Sequence, residues 1–158
     1  MEKLSLILWR ERELLETLLF KLEVEQLVMA GGRTKWLLRA AKEVESVLET
    51  IRQTEVLRAV AADEAAAEAG MPPNPSLRSL ADSVAEPWAS ILGDHRDAFE
   101  AITREVTAMA EANRELVTAG IRSARETLLT LGESTDGYSA DGTAVSAGTR
   151  RPLVDRSL

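Results

Sequence analysis

Cysteine is missing from this 158-residue chain. Its absence excludes disulfides, thiol catalysis and thiolate metal sites, and it fits a reducing compartment. Aromatic residues make up only 4% of the chain. A core must therefore be assembled from Leu, Val, Ile and Ala, which suits helix on helix better than a sheet. The single histidine, His95, has no Cys and no Glu-x-x-His pattern to join it as a metal ligand, so a structural or surface role is the expectation. A basic excess is also lacking. With a net charge of −7, the chain offers no face for neutralising the phosphates of nucleic acid or for lying on an anionic membrane. No stretch approaches the ~18 apolar residues of a membrane span. The opening MEKLSLILWRERELL lacks the apolar core and small-residue cleavage site of a secretory signal. These absences read as a cytoplasmic protein with no membrane insertion, no metal and no cofactor.

What the chain does have is helical periodicity. Residues 3 to 30 contain neither Pro nor Gly. Leu8, Leu15, Leu22 and Met29 recur every seven residues, thickened by Leu4, Leu18 and Leu19, which describes a long amphipathic helix. Gly31-Gly32 ends it, since glycine tolerates the left-handed turn after a last helical residue. Thr34 is positioned to cap a second helix, along which Leu37, Ala41, Val44, Leu48 and Ile51 alternate steps of four and three. The run AVAADEAAAEAG extends that helix to about Glu68. It favours helix but brings little apolar volume, so this end is expected to project or fray. Gly70 and MPPNP stop it.

Ser76 can cap a short helix over Leu77 to Ala85, and Pro87 suits the first turn of a last long one. There, Phe99, Ile102, Val106, Met109, Asn113 and Leu116 form one stripe. Val117, Ile121, Ala124, Leu128 and Leu131 form a second, moved by one residue. Such a shift means that the buried face twists or meets a different partner. From Glu133 the composition turns to Gly, Ser, Thr and Asp without periodicity. The fold class expected is all-α: an elongated antiparallel bundle of three long helices plus one short helix over residues 1–132, with a disordered tail over 133–158.

Catalytic signatures do not emerge. Gly31-Gly32 follows a helix and lacks the Lys-Ser/Thr of a phosphate loop. Glu11 and Glu25 lie near the first apolar stripe, but the Glu-x-x-His partners of a metal-binding bundle are missing, leaving them as flanking charges or partner contacts. Asn113 is the informative polar residue because it interrupts an apolar stripe. It either sets register as a buried amide or bonds the backbone of a guest. Gly120, inside the second stripe, costs about 1 kcal/mol relative to Ala in a helix, so it calls for close approach of another helix or a hinge.

The order of these parts resembles the FlgN family of flagellar type III export chaperones. A leucine-rich first helix ends in LLFKLEVEQLVMAGG. WLLRAAKEVESVLETIRQTEVLRA follows, then a Pro-marked corner with LRSLAD, a long helix carrying NRELVTAGI, and a tail with GYSADGT. The resemblance spans residues 3 to about 142, and its motifs are mostly leucine spacing. It implies a protein that binds the C-terminal helical segments of hook-filament junction proteins, keeps them monomeric and brings them to the flagellar export gate. The stripe from Asn113 through Leu116, Val117, Gly120, Ile121, Ala124, Leu128 and Leu131 is the groove such a role would use; alternatively it packs on the first two helices. The resemblance also suggests that Tyr138 contacts the gate, against the reading of a solitary solvated tyrosine. A free groove invites a second copy, hence a homodimer. The competing reading is a coiled-coil structural or secretion-associated helical protein without chaperone activity. A Trp-x-Gly turn of the small secreted hairpins is absent, and an enzymatic or metal-binding bundle lacks ligands.

Overall fold

The computed structural model describes residues 1–136, and their side chains through residue 131. It is all-α: α1 (Glu2–Ala30), α2 (Leu37–Glu68), α3 (Leu77–Ser83) and α4 (Trp88–Asp136), with no strand among the described residues. The chain divides into two compact units, Met1–Val117 and Thr118–Leu158. Within the second, α4 continues to Asp136; the tail beyond, expected to be disordered, lies outside the described residues.

Local chemistry sets the helix ends. The amides of Gly31 and Gly32 bond back to Leu27 and Met29, and Gly32 takes the left-handed turn at φ 63°, as the Gly-Gly pair leads one to expect. Thr34 does not cap α2. It opens a 3-10 turn over Thr34–Trp36, and α2 starts at Leu37 without a side-chain cap. Gly70 (φ 69°) ends α2. In the Pro-rich corner the Asn74 N–H donates to the Asp63 carboxylate, tying the corner back to α2. Ser76 caps α3, its hydroxyl accepting from the Ser79 N–H at 3.0 Å. Pro87 immediately precedes α4, and its carbonyl accepts the Ile91 N–H.

In the first unit α1 and α2 are antiparallel. Lys3 pairs with Glu64 at 2.7 Å and Lys21 with Glu43 at 2.8 Å, so the start of one helix meets the end of the other. The first part of α4 runs parallel to α1, because His95 meets Ser5 while Asn113 meets Leu22. The backbones of α1 and α2 approach most closely. Small residues allow this: Ala61, Ala65 and Ala66 are almost completely buried, in one cluster with Leu4, Leu8, Leu80 and Leu92. The alanine-rich end of α2 therefore neither projects nor frays. Alanine adds little apolar area, but it lets two helices close to a distance at which every methyl finds contacts.

A second apolar cluster joins Leu14, Leu18 and Leu22 of α1 to Val44 and Ile51 of α2, with Val106, Met109 and Ala110 of α4 packed against it. Polar residues fall between the stretches that feed the two clusters. Glu11 is buried on α1 and ion-paired to Arg58 of α2 at 2.9 Å, and Thr54 is buried one turn away from Arg58. Thr54 satisfies its hydroxyl on the Thr50 carbonyl. Glu11 is thus an internal residue rather than a flanking charge. Burial raises its pKa, and the Arg58 guanidinium offsets part of that rise.

Candidate functional site

The first part of α4 faces inward. His95 is buried, and Phe99, Val106 and Met109 pack against the two clusters. Ser5 Oγ lies 3.4 Å from His95 Nε2, and the Trp9 ring meets the imidazole edge-on with centroids 5.2 Å apart. Ser5, Trp9, Arg12, Ile91, Asp94 and His95 line a shallow pocket there. Burial first, and Arg12 second, hold the His95 pKa below its ordinary value, with Asp94 acting against them. Among the described residues the ring's hydrogen bond goes to Ser5 and none goes to a carboxylate. The Ser-His contact therefore lacks the acidic group that orients a catalytic imidazole. Among the described residues no three His, Cys, Asp or Glu side chains gather to hold a metal ion.

Asn113 marks the change. It is 4% exposed, and its side-chain amide donates to the Leu22 carbonyl at 2.9 Å and to Glu25 Oε2 at 3.0 Å. The opposite amide orientation would set an oxygen against two acceptors, so this one is fixed by its partners. Glu25, like Glu11, is therefore engaged inside the first unit. Asn113 Oδ1 is buried with no hydrogen-bond partner among the described residues. An orphaned acceptor of this kind costs about 1 to 3 kcal/mol. The residue thus fits the register-setting reading on its nitrogen side and leaves an acceptor unused on the other.

Beyond Asn113 the stripe residues meet solvent. In the first unit Leu116 is 37% exposed and Val117 44%. In the second, Ile121 is 51% and Leu128 68% exposed, and Gly120, Ala124 and Leu131 are exposed as well. A Cβ added at Gly120 would meet nothing within 4 Å, so no close approach in this structure calls for the glycine. Tyr138 lies outside the described residues.

Sequence reasoning missed a second apolar surface. Leu6 and Ile7 of α1 and Leu57 and Val60 of α2 line an open groove edged by Glu2 and Lys3, with Leu6, Leu57 and Val60 more than half exposed. The available signal was that Val56, Leu57 and Val60 sit off the face that Val44 and Ile51 bury. No described helix is long and apolar enough to cross a membrane.

Comparison with known proteins completes the picture. No curated protein and no solved structure matches the chain. A family model described as FlgN protein does match, over residues 1–146. That span takes in all four helices, the buried Asn113 and the apolar stripe after it, and the chain accordingly belongs to the FlgN family, a membership that points to a flagellar export chaperone.

Proposed function

We propose that this protein receives the C-terminal helical segments of hook-filament junction proteins along the stripe from Asn113 to Leu131 of α4, keeps those subunits monomeric in the cytoplasm and delivers them to the export gate. The observation that carries the reading is the change of exposure along one helix. Val106 and Met109 pack into the core, whereas Leu116, Val117, Ile121 and Leu128 on the following turns face water. Exposed large aliphatic side chains at helical spacing are what an amphipathic guest helix needs for its own apolar face. Asn113, at the head of the stripe, and Gly120, Ala124 and Leu131 complete the proposed contact. Ordering of the guest on binding lowers net affinity, which suits a partner that must later let go. With no guest, a second copy can take the same stripe. Tyr138 is the proposed contact to the gate, on the strength of the family resemblance.

Calorimetric titration with the terminal segments of the hook-filament junction subunits encoded in the same genome tests this. Binding to one of them is expected. Ile121→Asp should abolish it with helix content unchanged by circular dichroism, while Leu57→Asp, in the separate α1–α2 groove, should leave it intact. Absence of binding to every such segment overturns the proposal.

A further inference from the structure

Within Thr118–Leu131 the edges of the proposed stripe carry one sign of charge. At helical spacing, Arg125 stands one turn after Ile121 and one turn before Leu128, so it borders the stripe directly. Arg122, three residues before Arg125, lies behind it on the same side. The opposite edge holds Gly120, Ser123 and Thr127, none of them charged. Glu126 falls on the back of the helix. Thr118 to Leu131 thus contains two arginines and one glutamate, a net charge of +1, inside a chain whose net charge is −7. Among the described residues neither Arg122 nor Arg125 forms an ion pair, and both are exposed.

We infer that the guest of this stripe is an amphipathic helix that carries carboxylates along one edge of its apolar face. The inference rests on the reading that the stripe receives a helix at all, and adds the chemistry of that helix. Guanidinium groups at the rim of an apolar contact select partners by charge-assisted, often bidentate, bonds to carboxylates. A second copy supplies them poorly. Within Thr118–Leu131 neither edge of its own stripe bears a carboxylate, so a copy laid on that segment in either direction brings none beside Arg125. An acidic-edged partner meets the charge that a second copy leaves unmet.

Two synthetic amphipathic peptides with the same leucine stripe test this against the full-length protein, one with glutamates and one with lysines along a single edge. The glutamate peptide is expected to bind about fivefold more tightly at low ionic strength, the difference fading as salt rises. The double variant Arg122→Glu/Arg125→Glu should reverse the preference. Equal affinity for the two peptides, both lost in Ile121→Asp, would overturn the acidic edge while leaving the groove standing. Binding of neither peptide would remove the groove and the inference together. A concentration-dependent dimer in sedimentation that excludes both peptides would assign the stripe to a second copy instead.

Discussion

Asn113 of α4 reaches the main chain of α1 at Leu22 through a 2.9 Å hydrogen bond, and the same amide group also holds Glu25. One polar side chain thereby fixes how far α4 has slid along α1. Leucines on neighbouring turns are nearly interchangeable, whereas an amide hydrogen has to find an acceptor at one height.

Truncating this residue separates its two roles. Asn113→Ala removes the bonds and leaves a small void, and it should cost about 1 to 3 kcal/mol in urea unfolding. Asn113→Leu also removes the orphaned Oδ1 and fills the space with carbon. Its stability should stay within about 1 kcal/mol of the parent. What it should lose is a single register, seen as extra species in sedimentation or broadened amide resonances. A leucine variant as homogeneous as the parent would show that packing alone sets the slide.

The Glu11–Arg58 pair makes a second, opposite case. Glu11 is buried while Arg58 is about half-exposed, so the carboxylate carries most of the desolvation. Arg58→Ala should destabilise the protein by about 1 to 3 kcal/mol at neutral pH, because it leaves that charge without compensation. The loss should shrink on acidification. Burial already raises the Glu11 pKa above 4.5, and without Arg58 it rises further. The folded state then takes up a proton before the unfolded chain does, and the penalty fades as pH falls through the folded value toward 4.5. Glu11→Leu/Arg58→Met should recover most of the stability and lack this component of the pH dependence. Urea titrations at pH 7 and pH 5 compare the parent and the two variants.

These two sites also show what a single sequence exposes and what it hides. Helix ends were legible because Gly32, Gly70 and Ser76 act through their own backbone or the next turn. The single histidine was expected to take a structural or surface place, and it lies buried. Glu11 could be seen near the apolar stripe, but its partner sits on another helix, and spacing within α1 says nothing of Arg58. Ala61, Ala65 and Ala66 misled for a different reason. A hydrophobicity count undervalues alanine, whose effect is to bring backbones together rather than to contribute area. At the proposed site the shift of stripe after Asn113 was visible in the sequence. The change from buried to exposed that accompanies it depends on where α1 and α2 place their side chains, and so required the structure.

His95 supplies a pH dependence of known sign. Burial and Arg12 lower its pKa from 6.5, with Asp94 opposing. The unfolded chain therefore binds the proton first as pH drops below 6.5, and stability falls from there through the lower folded value; at higher pH the residue contributes no slope. Melting temperature should drop between pH 7.5 and pH 5.5. His95→Phe should show a shallower drop, with a constant offset from the lost Ser5 contact. Glu11 titrates with the opposite sense near the acid end of this range, so the difference between parent and His95→Phe, rather than either curve alone, isolates the histidine. Parallel curves would mean that the imidazole is hydrated in both states.

Gly120 gives the sharpest test of how close a guest comes. Nothing in the free protein lies within 4 Å of the Cβ that an alanine would add, and the residue sits inside a helix. Gly120→Ala should therefore strengthen the helix by about 0.5 to 1 kcal/mol, seen as slower hydrogen exchange of the amides around it. A preformed helix alone would improve binding of a guest by up to a few fold. If the guest backbone passes against Gly120, however, the new methyl holds it off, and affinity should fall by about tenfold, a loss near 1.4 kcal/mol. The two effects have opposite signs, so the direction of the change decides between them. We expect weaker binding by a more stable protein; tighter binding would mean that the glycine serves as a hinge in α4 and that the guest crosses elsewhere on the stripe.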